Sequence, residues 1–179
     1  MSDFPYITNH VLVSNLEYTQ SNISNLLLIS ESQSYRNEPV FLGGLRKTII
    51  IYLASIIEAL LVWRLSEFLK TKNFNLSDEW KYYNIKLIHK IDDGKQVIAG
   101  FRKSTPRQPE KLDFVRVIDL SFKHKVIKSE KLKADIHKVR KLRNRLHIGN
   151  LPEKEKEYTK EDLEFCFNVA EKVKATVSK

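Results

Sequence analysis

An arginine and a histidine held close on one helix can bind a phosphodiester and move a proton. In this chain they converge only in Val139-Arg140-Lys141-Leu142-Arg143-Asn144-Arg145-Leu146-His147-Ile148-Gly149. The unperturbed pKa of an imidazole, about 6.5, suits it to act as a general base near neutral pH, for instance toward a ribose 2′-hydroxyl. A guanidinium beside it can grip the scissile phosphate and stabilise the charge that develops there. The scheme needs no metal or other cofactor, and no Cys, His or carboxylate spacing suggests a metal site. His10, His89, His124 and His137 have no partner at ligand spacing, and with 5 glycines the chain shows no Gly-rich phosphate loop.

At about 100° per residue, Leu132, Ile136, Val139, Leu142 and Leu146 form one apolar stripe. Arg143 falls inside that stripe, Arg140 and His147 share one edge of it, and Asn144 and His137 point away. A charge on a core-facing stripe requires a partner, because an unpaired buried charge is costly. Glu58 is stranded in the same way, among Ile51, Ala54, Leu61, Val62 and Leu65. The expectation is a charge-assisted hydrogen bond between Glu58 and Arg143, whose loss from a buried site would cost roughly 3–5 kcal/mol. Two readings stand together here. One is a catalytic group of Arg143, Arg140, His147 and Glu58. The other is a structural ion pair, with His147 capping a helix C-terminus where the dipole favours cations.

The chain has 31 Lys and Arg against 22 Asp and Glu, a net charge of +9, and a pI near 9.5. That balance favours nucleic acid or an acidic protein as partner. It is also concentrated: between residues 123 and 145 many lysines and arginines face only Glu130 and Asp135. Lys138, Lys141, Asn144 and Arg145 are the candidate nucleic-acid contacts. The single cysteine, Cys166, cannot close an intramolecular disulfide and reads as an inert buried thiol, which suits a reducing cytoplasm. The N-terminal residues show no secretory signal. The apolar run at 48–63 contains Glu58 and falls short of the roughly 20 residues a membrane span needs, so a buried core helix is expected, with no membrane.

With 179 residues and 42% apolar content, one domain covering 1–179 is expected. Apolar spacing predicts a first helix over 9–30. A polar connection follows at 31–44, where Pro39 and Gly43-Gly44 should interrupt helices. A long central helix is expected at 46–70, apolar almost all round. Ser77-Asp78-Glu79 resembles an N-cap and predicts a helix over 77–92. Residues 95–109 read as a short inserted hairpin or arm. Pro109-Glu110 opens a further helix or strand, with Val115, Ile118 and Phe122 turned inward. Ser129 caps the motif helix, which should reach His147 before Gly149 and Pro152 end it. Thr159 opens a last helix, with Leu163, Cys166, Phe167, Ala170, Val173 and Val177 as its buried stripe. The fold class is all-α, a bundle of five or six helices with that small insert.

The motif string, together with Tyr52-Leu53-Ala54-Ser55-Ile56-Ile57-Glu58-Ala59-Leu60-Leu61, resembles the HEPN superfamily of small helical bundles. The likeness covers the central helix and the chain from about Pro109 onward. It implies an up-and-down bundle, a homodimer with two motif helices facing a shared cleft, and an active site of Arg, four to six residues, then His. Many members are metal-independent endoribonucleases of defence or toxin–antitoxin systems, with a cognate antitoxin as partner. Others, with degenerate motifs, are non-catalytic modules that bind RNA or a partner protein. Arg143-Asn144 matches the family's Arg and following polar residue, but only three residues separate Arg143 from His147. Arg140 has six before His147, with Lys141 where the polar residue belongs. Glu58 matches the acidic or polar position near the family's active site, and Trp63 and Phe68 are candidate dimer surface. A DNA-binding regulator is a third, lower-ranked reading.

Overall fold

A computed structural model describes residues 2–35, 37–72, 76–91, 93–145 and 158–179, with 77–82 and 104–107 described in backbone only. The fold is mostly helical, with one two-stranded antiparallel hairpin. In chain order the elements are α1 (His10–Glu31), α2 (Pro39–Thr71), β1 (Leu76–Lys90), β2 (Gln96–Arg107), α3 (Phe114–Lys123), α4 (Glu130–Asn144) and α5 (Lys160–Val177). They form two compact units, one of Met1–Leu65 with Asp113–Lys179 and the other of Ser66–Leu112.

The first unit is organised around α2. Between residues 45 and 69 of that helix only Ser55 is exposed. Ile49, Ile50, Ala54, Ile57, Leu60, Leu61 and Leu65 are completely buried, as expected for a helix apolar on nearly every side. The helix starts seven residues earlier than its apolar pattern suggests. Pro39 does not interrupt it but begins it, since a fixed φ and a missing N–H are harmless in the first turn. Gly43 and Gly44 lie inside it with open space where a side chain would be. Each weakens a helix by about 1 kcal/mol, and the buried stretch that follows outweighs that cost. At 33 residues the helix is also longer than the 48–63 run implied. Its most apolar window, of mean hydropathy 1.9, suffices by length and composition to cross a membrane, and half of that window is buried inside the protein.

Side-chain caps fix where the other helices start. The Asn9 side chain accepts from the Leu12 amide, Asp113 from Arg116 and Ser129 from Leu132. Thr159 and Asp162 form a reciprocal capping box at α5. On α4 the expected stripe of Leu132, Ile136, Val139 and Leu142 is buried. The helix ends at Asn144, three residues short of His147. On α3, Ile118 is buried as expected, joined by Phe114, Val117 and Ser121, whereas Val115 and Phe122 are only half-buried. On α5, Val169 takes a core position and Leu163 and Phe167 are half-buried. Cys166 is buried, and its thiol is pushed up to about 12 by burial and by Asp162, against the pull of Lys138. Little thiolate exists near neutral pH, as an inert core thiol requires. Trp63 is half-buried, with its ring 5.7 Å from that of Tyr6.

The second unit corrects the expected helix over 77–92. Residues 76–90 form β1, paired antiparallel with β2. Ser77-Asp78-Glu79 imitates a helix cap, but Trp80, Tyr82, Tyr83 and Ile85 favour a pleated strand, and pairing to β2 decides the matter. The connection closes through Gly94, at φ 83°, with the Ile91 amide donating to the Lys95 carbonyl at 2.9 Å. Asp93 pairs with Lys95 across it. Gly100 on β2 faces an irregularity in β1, where Asn84 has φ 52° and the register shifts between Tyr83 and Lys86. A Cβ at Gly100 would lie 3.0 Å from the Tyr83 carbonyl oxygen. Gly100→Val is therefore expected to cost the hairpin about 1–3 kcal/mol, as overpacking does. Hydrogen exchange should speed up across residues 83–103, while far-ultraviolet circular dichroism of the helices stays unchanged.

Candidate nucleic-acid interface

The last two turns of α4 and the middle of α2 bring the expected Glu58 and Arg143 together. Arg143 Nη2 lies 3.6 Å from Glu58 Oε2, with both side chains partly exposed. The pairing is as expected, but its strength is not. At that separation it is an ion pair rather than a hydrogen bond, and solvent reaches both groups. Burial is the largest influence on the Glu58 carboxyl and pushes it above the usual glutamate value. Arg143 pulls it down, and Asp113, the cap of α3, pushes it up again.

Arg140 sits one turn before Asn144, on the edge of the buried stripe. Its Nε is buried and has no hydrogen-bond partner among the described residues, which leaves one donor of this guanidinium unmet. His147, its proposed catalytic companion, lies outside the described residues, as do Leu146, Gly149 and Pro152. Asn144 is half-buried and lies on the side of α4 that carries Lys133 and His137, away from the exposed lysines.

The remaining cations of α4 divide according to their neighbours. Lys133 is bound to Asp119 of α3 at 2.7 Å, and His137 Nε2 lies 3.6 Å from the same carboxylate. The Lys133 hydrogen bond is the main reason that Asp119 titrates below the usual aspartate value. Lys131, Lys138 and Lys141 are exposed and Arg145 half-exposed. On the helical wheel these four share one side, spread along about 21 Å of helix at 1.5 Å per residue. Lys138 Nζ also stands 4.3 Å over the Phe165 ring of α5, which steadies the ammonium without neutralising it.

One group here escaped the sequence reading. Tyr158 donates from its hydroxyl to the Leu142 carbonyl at 3.2 Å, satisfying an acceptor in the last turn of α4. Its backbone carbonyl accepts from Arg46 Nη1 at 3.4 Å. Lys47 Nζ is 5.7 Å, and Arg145 Cζ 6.0 Å, from the centre of its ring. Arg46, Lys47 and Arg145 thus gather around one aromatic post. Arg46 and Lys47 are the only charged residues between Glu38 and Glu58, and that isolation was the available signal. Elsewhere in the unit, a cavity of about 210 Å³ has an apolar wall that includes Ile23, Leu53, Ile56 and Leu60, with Asp3 and Lys174 among its polar residues. None of the candidate site residues lines it. Among the described residues no group of His, Cys, Asp and Glu is placed to hold a metal ion.

Compared with known proteins, the chain matches no family model, no curated protein and no solved structure.

The sign of the Glu58 shift sets a pH expectation. A carboxyl that binds its proton more tightly when folded loses stability as pH rises from its unfolded value through its folded one. Glu58→Gln keeps the shape and removes that loss. Its stability relative to wild type, measured by urea unfolding, should therefore improve from acid toward neutral pH. Glu58→Ala should cost on the order of 1 kcal/mol, as a half-exposed pair does, rather than the 3–5 kcal/mol of a buried one. A wild type that gains on Glu58→Gln as pH rises would show that Arg143 outweighs burial.

Proposed function

We propose that this chain is a HEPN-like RNA-binding protein that grips the RNA backbone along the exposed side of α4. The observation that carries the reading is the row of Lys131, Lys138, Lys141 and Arg145, which no ion pair neutralises among the described residues. A helix-long row of cations suits a polyanion with regularly spaced charges, and counterion release supplies the binding free energy.

On this reading the chain is also a metal-independent endoribonuclease of a toxin–antitoxin or defence system, acting in the cytoplasm and held by a cognate antitoxin. His147 takes the proton of a ribose 2′-hydroxyl, and the oxygen attacks the adjacent phosphorus. The P–O5′ bond breaks, the 5′-oxygen takes a proton from water, and a 2′,3′-cyclic phosphate remains. Arg140 is the better phosphate ligand, because no ion pair holds it among the described residues while Arg143 is already held by Glu58. It also has the six-residue spacing to His147. The half-neutralised Arg143 favours the second reading, a non-catalytic module that binds RNA or a partner protein through the same helix. Either version fits a homodimer, and sedimentation at micromolar concentration should give twice the chain mass.

RNA cleavage in EDTA separates the two readings. The enzyme reading expects activity that persists in EDTA and falls about 10²–10⁴-fold in His147→Ala. Arg140→Ala should lose turnover, and Arg143→Ala should lose less. Lys138→Ala with Lys141→Ala should weaken binding and flatten its salt dependence by about 0.7 in logarithmic slope for each phosphate no longer neutralised. Salt-sensitive binding without cleavage would leave the module, and absence of RNA binding would remove both.

A further inference from the structure

The hairpin exposes a second surface with a different chemistry. Tyr83 and Phe101 are direct cross-strand partners, so both rings project from the same face. They are 45% and 73% exposed, which leaves their faces open to a ligand. Ala99 and Lys103 share that face by the two-residue alternation of β2. Lys86 is opposite Ala99 and therefore joins them.

That placement depends on the irregularity at Asn84. Lys86 lies three positions after Tyr83, an odd offset that would put the two on opposite faces of a regular strand. The extra residue in β1, accommodated by the missing side chain at Gly100, returns Lys86 to the side of Tyr83. The second register shift, between Leu87 and His89, does the same for His89, opposite Val97. Apart from Asp78 and Glu79 at the start of β1 the strands contain no aspartate or glutamate, whereas they hold Lys81, Lys86, Lys90, Arg102, Lys103 and Arg107. Lys86 and Lys103 form no ion pair among the described residues.

We propose that the face of the hairpin bearing Tyr83, Phe101, Lys86 and Lys103 is a stacking platform for single-stranded RNA. Unstacked bases offer π-faces to the two rings, and the backbone between them brings phosphates to the two lysines. Positive charge on this face disfavours a second copy of the same hairpin and favours a polyanion. A lipid surface or an apolar protein partner would instead select the opposite face, where Leu87 and Ile98 are paired. The proposal rests on the reading that RNA is the ligand, and it adds a site separate from α4.

The test is fluorescence anisotropy of a labelled oligouridine with the full-length chain. Phe101→Ala and Tyr83→Ala are each expected to weaken binding roughly 5- to 150-fold, the range for loss of one base–aromatic stack. Phe101→Trp should restore it. Lys86→Ala with Lys103→Ala should reduce the salt dependence and leave the effect of the aromatic substitutions in place. If both alanine variants of the rings bind like wild type, the platform is wrong. In that case, weakened binding by the Lys138 and Lys141 variants alone would leave the helix reading standing, and no binding by wild type would remove both. Duplex RNA bound as tightly as the single strand would overturn stacking. Binding to phosphatidylserine vesicles that is lost in Leu87→Ser but not in Phe101→Ala, without RNA binding, would replace the proposal with a lipid surface.

Discussion

The constraint on which the first unit depends is that α2 must be covered nearly all the way round. Its apolar side chains leave no face suited to water, so elements from both sides of it in sequence are drawn in. Ile23 and Leu27 of α1 and Ala170 and Phe167 of α5 meet Leu53, Ile56 and Leu60 around one cavity. Glu58 is the one carboxylate in the middle of the helix, and the approach of Arg143 follows from it. A carboxylate half-withdrawn from water attracts the nearest guanidinium, and the same withdrawal raises the cost of its charge. Burial prevails over the attraction, so the pair adds little to the strength of the fold.

Much of the helical framework was legible because it is written locally. Asn9, Ser129 and Thr159 each mark a helix start through a side-chain oxygen that satisfies a free amide, and such marks need no knowledge of the rest of the chain. What escaped depends on distant partners. Gly43 and Gly44 resemble breakers until the buried length of α2 is taken into account. Ser77-Asp78-Glu79 carries the chemistry of a cap, and only pairing to β2, beyond the reach of helical periodicity, makes the segment a strand. The Glu58–Arg143 encounter was legible because two isolated charges on apolar faces have few alternatives. The gathering of Arg46, Lys47 and Arg145 about Tyr158 was not, since a tyrosine gives no sign in sequence of which helix its hydroxyl will reach.

The charge of the chain is partly neutralised and partly displayed, and that division sorts its candidate sites. Asp119 removes Lys133 from any role toward a polyanion, and Glu58 does so in part for Arg143. Lys131, Lys138 and Lys141 remain displayed on α4. On the hairpin, Lys86 and Lys103 are displayed beside aromatic rings rather than along a helix. A row of ammonium groups suits a regularly charged backbone, whereas a ring flanked by ammonium groups suits an unpaired base, so under the proposals made above the two surfaces would divide the features of one polymer between them.

The placement of α2 in the chain also has a consequence during synthesis. A helix this apolar emerges when only α1 has been made, while Arg143, Tyr158 and the α5 side chains that meet it come later. About a hundred residues separate the end of α2 from the end of α5, so at the usual rate of elongation the helix waits roughly 5–20 s for its cover. During that interval it has the length and hydropathy that membrane-insertion and chaperone machinery recognise. Half of its most apolar window is buried in the finished fold, so the cover that the C-terminal helices bring is what removes that apolar surface from water.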